Sequence, residues 1–135
     1  MRTGVPLSVG VKNNLLNTGT SNVANKTCSS LSYPKLVSQW FDISCFADPT
    51  TPYVWGNARK GAVWGPGVVN FDLSAFKRFP LPKERAIEFR AEFFNALNNP
   101  HFANPDTNRA NGTYGQITNT ALPPREMQLG LKLQF

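Results

Sequence analysis

Few side chains in this chain belong to types that do acid–base or nucleophilic chemistry, and their spacing argues against both. His101 is the sole histidine, within Asn-Pro-His-Phe. No GxSxG or HxxE pattern lies near it to supply an oriented nucleophile or carboxylate, so it reads as a solvated loop residue. Glu88 and Glu92 could form a general acid/base pair, but two residues four apart on one strand face are separated by roughly 13 Å. Glycosidase carboxylates stand about 5–9.5 Å apart. With Arg90 between them, a salt-bridged wall is the better reading. Gly65-Pro66-Gly67 lacks the GK[ST] and helix start of a phosphate loop. With one histidine and no CxxC pair, a zinc site is not expected. The chain reads as no enzyme: no catalytic residue, no metal ligand and no cofactor-binding residue.

Two residue sets leave alternatives open. Cys28 and Cys45 lie in segments that read as loop. In an oxidising compartment a disulfide closing this loop of about 16 residues would contribute roughly 3 kcal/mol; otherwise they are two free thiols. Trp40, Tyr53, Trp55 and Trp64 could stack on sugar rings. The competing role is packing in a core or at a membrane–water boundary.

The elements that would position these residues are strands. In Arg125–Phe135, Met127, Leu129, Leu131, Leu133 and Phe135 alternate with Glu126, Gln128, Gly130, Lys132 and Gln134. A strand of about 9–11 alternating residues suits a tilted crossing of a bilayer, and equally a half-buried strand of a soluble sheet. The same alternation marks residues 4–11, 68–78 and 85–93, with a short strand at 114–118. Over 85–97 good helix formers compete, but Ile87, Phe89, Ala91 and Phe93 at spacing two favour a strand. Asp72, Arg78, Glu88, Arg90 and Glu92 then share the polar face of one hairpin. Long polar loops at about 12–35 and 95–113 alternate with short turns at 79–84 and 121–124, the asymmetry of an outer-membrane barrel. The fold class expected is all-β: an antiparallel meander of roughly 4–6 strands occupying 1–135 as a single segment, which a family resemblance makes a fragment of a large outer-membrane β-barrel.

Composition agrees with strands and polar loops. Only 16% of the 135 residues are charged, against about 25% in a typical soluble domain. The net charge is +6, but Lys and Arg are scattered along the chain, mostly singly, without the clustered footprint that nucleic acid requires. No apolar run is long enough for a membrane-spanning helix. Met1–Pro6 has one positive side chain and no apolar core after it, so it does not read as an export signal.

Three segments together carry a family resemblance: Tyr53-Val-Trp-Gly-Asn57 with Gly65-Pro-Gly-Val-Val-Asn-Phe-Asp-Leu-Ser-Ala-Phe-Lys77; Phe89-Arg-Ala-Glu-Phe-Phe-Asn-Ala-Leu-Asn-Asn-Pro-His-Phe102; and the terminal strand to Phe135. In that order and spacing the chain resembles, from about residue 2 onward, the C-terminal barrel portion of TonB-dependent outer-membrane receptors. The nearest likeness is to the large Oar-like receptors of acidobacteria, which carry a carboxypeptidase-regulatory-like N-terminal domain. The resemblance implies the last few strands of a barrel of about 22, in a receptor that imports bulky nutrients, chelates or glycans. It implies that Gln128, Gly130, Leu133 and Phe135 form the signal read by the barrel-assembly machinery. The partners implied are outer-membrane lipid, that machinery, the rest of the receptor barrel and a glycan or other nutrient, and the location is the bacterial outer membrane. A plug domain and a segment engaging the energy-coupling protein have no counterpart here, so a truncated frame or excised fragment, inactive as a transporter alone, is expected. The alternative is a small soluble β-rich ligand- or glycan-binding module using exposed tryptophans.

Overall fold

The structure, a computed structural model, describes residues 4–135. The reading of Met1–Pro6 and the start of the resemblance near residue 2 therefore fall in part outside the described residues. The chain is all-β, with seven strands, one short 3-10 turn (Ile43–Cys45) and no α-helix among the described residues. The strands are β1 (Pro6–Leu7), β2 (Asn25–Lys26), β3 (Phe46–Ala47), β4 (Val63–Trp64), β5 (Leu73–Leu81), β6 (Arg85–Phe94) and β7 (Glu126–Gln134). Every strand pairing is antiparallel. The residues form two compact units, one of 69–101 with 122–135 and one of the chain up to 68 with 102–121.

The first unit is the three-stranded sheet β5-β6-β7. Its long strands form where alternation is strictest. Ile87, Phe89, Ala91 and Phe93 keep β6 extended and exclude the competing helix, because a helix would scatter them around its circumference. β5 and β6 are joined through Pro82, Lys83 and Glu84, with the last two in the left-handed region (φ 65° and 58°). The sequence places a turn at 79–84, yet the ladder continues through Pro80↔Ala86 to Leu81↔Arg85. Proline is tolerated there because β5 is an edge strand of this sheet. β6 ends where Asn95 turns left-handed (φ 50°). The connection to β7 then runs from residue 95 to 125, most of it belonging to the second unit. The segment 121–124 is therefore the return from that insertion rather than a turn between adjacent strands.

The second unit has a small core of Val9, Ala24, Phe41, Cys45, Phe46, Ala58 and Val63. Phe41 meets Phe46 and Tyr114 edge-on, at centroid distances of 5.9 and 5.6 Å, a favoured aromatic geometry. Cys28 and Cys45 are joined in a disulfide with Cα atoms 5.0 Å apart. Gly56 lies so close to the carbonyls of Val23 and Ala24 that no Cβ could be accommodated.

Two expected strands are not formed as such. Across 4–11, Val9 is buried while Pro6 and Ser8 are exposed, but only Pro6–Leu7 pairs, with Val63–Trp64. Alternation reports burial there, and the partner is too short for a ladder. Across 114–118, Gly115 turns left-handed (φ 82°) and interrupts the extended run. Tyr114 and Gln116 donate instead to the carbonyls of Asn111 and Thr113, closing turns.

Candidate membrane face, lumen wall and loop surface

Register assigns every side chain of the sheet to one of two faces. On one face the cross-strand rows are Leu73–Phe93–Met127, Ala75–Ala91–Leu129, Lys77–Phe89–Leu131 and Phe79–Ile87–Leu133. This face is apolar and largely uncovered; Met127, Leu129 and Leu131 are 65%, 68% and 75% exposed. Nine to ten residues per strand give about 30 Å of strand, which tilted by roughly 45° matches the apolar band of a barrel wall. Lys77 is the exception on this face. Its ammonium leans over the Phe79 ring, 5.2 Å from the centroid, so its stem covers apolar surface while its head points toward the turn end.

The opposite face carries the rows Ser74–Glu92–Gln128, Phe76–Arg90–Gly130, Arg78–Glu88–Lys132 and Pro80–Ala86–Gln134. Glu88 sits between two cations, and Arg90 reaches Glu92 at 3.8 Å. Register alone sets Glu88 among opposite charges; the Arg90–Glu92 contact is the ion pair formed on this face among the described residues, and being largely exposed it contributes at most about 1 kcal/mol. Glu88 and Glu92 lie in different rows with Arg90 between them, which fits wall structure rather than acid–base work. Asp72 stands just before β5 and accepts from the Asn95 amide at 2.9 Å, so it fixes the exit of β6 rather than joining the wall.

The four residues of the expected assembly signal divide between these faces. Gln128 and Gly130 lie on the polar face, Leu133 lies opposite Ile87 on the apolar one, and Phe135 follows the end of β7, 92% exposed. Gly130 stands opposite Arg90, whose Cβ is 3.9 Å from where a glycine side chain would begin.

His101 is not the solvated residue that its sequence context suggests; it is 2% exposed. Nε2 is 3.0 Å from the Val69 carbonyl and Nδ1 is 3.5 Å from the Asn95 side-chain nitrogen. A carbonyl only accepts and an amide nitrogen only donates, which assigns the proton to Nε2. Asn95 also donates to the Asn99 carbonyl at 2.9 Å and accepts from the Asn99 amide at 3.0 Å. Together Asp72, Asn95, Asn99 and His101 lock the chain where β6 ends. The signal in sequence was the density of Asn around His101, each able to bond the backbone locally.

In the second unit the four aromatics part company. Trp40 is half-buried against the core and donates to the Trp64 carbonyl at 2.9 Å, while Tyr53, Trp55 and Trp64 are exposed. Sequence reasoning missed the anchor of this unit. Arg109 donates to Asp48 at 2.7 Å and to the Phe46 carbonyl, and its guanidinium lies over the Tyr114 ring, 5.6 Å from the centroid. No local pattern joins residues so far apart in the chain.

Burial alone would raise the Asp48 carboxyl, but hydrogen bonds from Arg109 and from the Lys12 and Asn13 amides, with the Arg109 charge, hold it below its ordinary range. Burial likewise opposes ionisation of Asp106, and hydrogen bonds from Thr113, Asn108 and Asn111 overcome it. The folded state therefore takes up these protons less readily than the unfolded chain. Their stabilisation is complete above the unfolded value of about 4 and is lost as pH falls through the lower folded values. Urea midpoints read by tryptophan emission are expected to fall below about pH 4, and Asp48→Asn should flatten that limb. A midpoint unchanged down to pH 2.5 would refute the coupling.

Residues 1–128 match the family model described as outer membrane beta barrel domain. No curated protein and no solved structure matches the chain significantly.

Proposed function

We propose, from the premise that this chain belongs to the outer membrane beta barrel domain family, that it is part of a receptor or transporter barrel for nutrient uptake. The resemblance to Oar-like TonB-dependent receptors supports a position at the C-terminal side of such a barrel. The observation that carries the reading is the β5-β6-β7 sheet: strands of spanning length with one exposed apolar face and one charged face. In lipid an unpaired strand edge leaves backbone groups without partners. β5 and β7 each present one such edge in this sheet, so further strands must complete the wall. The partners are thus outer-membrane lipid, the assembly machinery and the rest of the barrel, and the chain is inactive as a transporter alone. Nitroxide labels along β7 in lipid vesicles provide the test. Labels at Met127, Leu129 and Leu131 should collide with oxygen, and labels at Gln128, Gly130 and Lys132 with a water-soluble nickel chelate. Equal collision profiles on both faces would sink the membrane reading. Uptake of a nutrient by vesicles carrying the parent barrel, and none by vesicles without it, would support the receptor role.

A further inference from the structure

We infer that the second unit carries a binding site for a neutral oligosaccharide, formed by the Tyr53–Trp55 loop and the amide-lined cleft beside it. The inference deepens the uptake reading and rests on it for biological purpose, while binding itself is measured without transport.

Two independent features meet here. The first is a rigid aromatic blade. Tyr53 and Trp55 are 70% and 57% exposed, yet the backbone carrying them is fixed. The Tyr53 amide donates to the Leu15 carbonyl at 3.0 Å. The buried Asn22 side chain donates to the Val54 carbonyl at 3.2 Å and accepts from the Gly56 amide at 3.1 Å. Asn57 and Asn25 extend the clamp: the Asn57 amide donates to Asn25 at 2.9 Å, and the Lys26 amide to Asn57 at 2.7 Å. Large exposed rings on a backbone already ordered lose little entropy on binding, which is what a recognition anchor needs.

The second feature is a cleft of about 360 Å³ lined by Ser8, Asn14, Ser21, Asn22, Thr107 and Asn108, with no charged side chain in its lining. Its size falls within the range of small-ligand sites, about 300–1,000 Å³. Asn22 belongs to both features, lining the cleft while holding the blade, and Leu15, which accepts from Tyr53, follows Asn14 of the cleft.

The chemistry selects the ligand. The Asn14 and Asn22 amides are already bonded to the backbone, so the groups offered to a ligand are the Ser8, Ser21 and Thr107 hydroxyls and the Asn108 amide, donors and acceptors together, as a polyhydroxylated ring requires. An anion would find no counter-charge in the lining, and a purely apolar ligand would desolvate the amides without return. The exposed rings of Tyr53 and Trp55 suit the apolar face of a pyranose, and the hydroxyls of the cleft suit its edge.

The test is titration of the purified full chain in detergent with maltohexaose, cellohexaose, xylohexaose and chitohexaose in turn, read by tryptophan emission. At least one should bind saturably. Trp55→Ala should weaken that binding by about tenfold or more, close to 1.4 kcal/mol, while Trp55→Phe retains most of it; Asn108→Ala should also weaken it. The inference is overturned if none of the four binds at millimolar concentration or if the variants leave affinity unchanged. Saccharide binding by a parent barrel that imports nothing would spare this site and sink the uptake reading. Uptake without saccharide binding would do the reverse.

Discussion

Leu129→Arg is expected to destabilise the membrane-inserted protein by about 2–4 kcal/mol, the range for a cation facing lipid near mid-depth of a barrel wall. Leu129 lies in the second of the four apolar rows, beside Ala91 and Ala75, whose small side chains cannot screen a guanidinium. Its neighbours in the next row are Phe89 and Leu131, which offer the new charge no polar partner. Lys77 is tolerated because its stem leans along Phe79 toward the strand end. The comparison is Gln128→Arg, one residue away on the polar face opposite Glu92, where a change within about 0.5 kcal/mol is expected for a surface substitution. Urea titration of the protein refolded into vesicles measures both. Equal costs at 128 and 129 would mean that the apolar face does not meet lipid.

Removing the disulfide should have a comparable effect on the other unit. Cys28→Ala with Cys45→Ala is expected to lower stability by about 3 kcal/mol, the chain-entropy value for a closed loop of roughly this length. The bridge spans a sequence separation of 17 and encloses Phe41, the largest fully buried side chain of the unit. Freed from the bridge, the segment from Ser29 to Ser44 must be ordered by a small core alone. All three tryptophans belong to this unit, so their emission reads it without interference from the sheet. The urea midpoint should drop with the slope nearly unchanged, and a reducing agent should reproduce the shift in the wild-type chain. A change below about 0.5 kcal/mol would show that the reduced loop keeps its structure.

The long strands were legible in the sequence because a period of two is sustained over nine or ten residues in each. β6 and β7 match the expected spans nearly to the residue. β5 is displaced, running from Leu73 to Leu81 instead of 68–78. Val69 and Phe71 have their carbonyls taken by His101 with Asn99 and by Ala96, and proline looked like a turn where it tolerates an edge. The loop unit was the illegible part. Its pairings join Pro6–Leu7 to Val63–Trp64 and Asn25–Lys26 to Phe46–Ala47, each two residues long and carrying no period. Its anchors, Arg109 with Asp48 and Asn22 with Val54, are set by three-dimensional packing alone. The same holds for the cleft proposed to take a saccharide, which draws on residues 8–22 and 107–108. Asparagine-rich tracts look like slack loop because the amides are seen without the backbone groups that they bind.

The insertion between β6 and β7 has a kinetic meaning. β5 and β6 are separated by three residues, whereas β6 and β7 are separated by roughly 30; closing the longer gap costs about 2 kcal/mol more at 0.6 kcal/mol per doubling. The hairpin can zip in microseconds, while β7 must wait until the intervening chain has condensed and shortened its tether. The strand that ends in Phe135 is therefore added last to its own neighbour. Until then its apolar row and backbone edge stay available to whatever escorts a nascent strand to the bilayer.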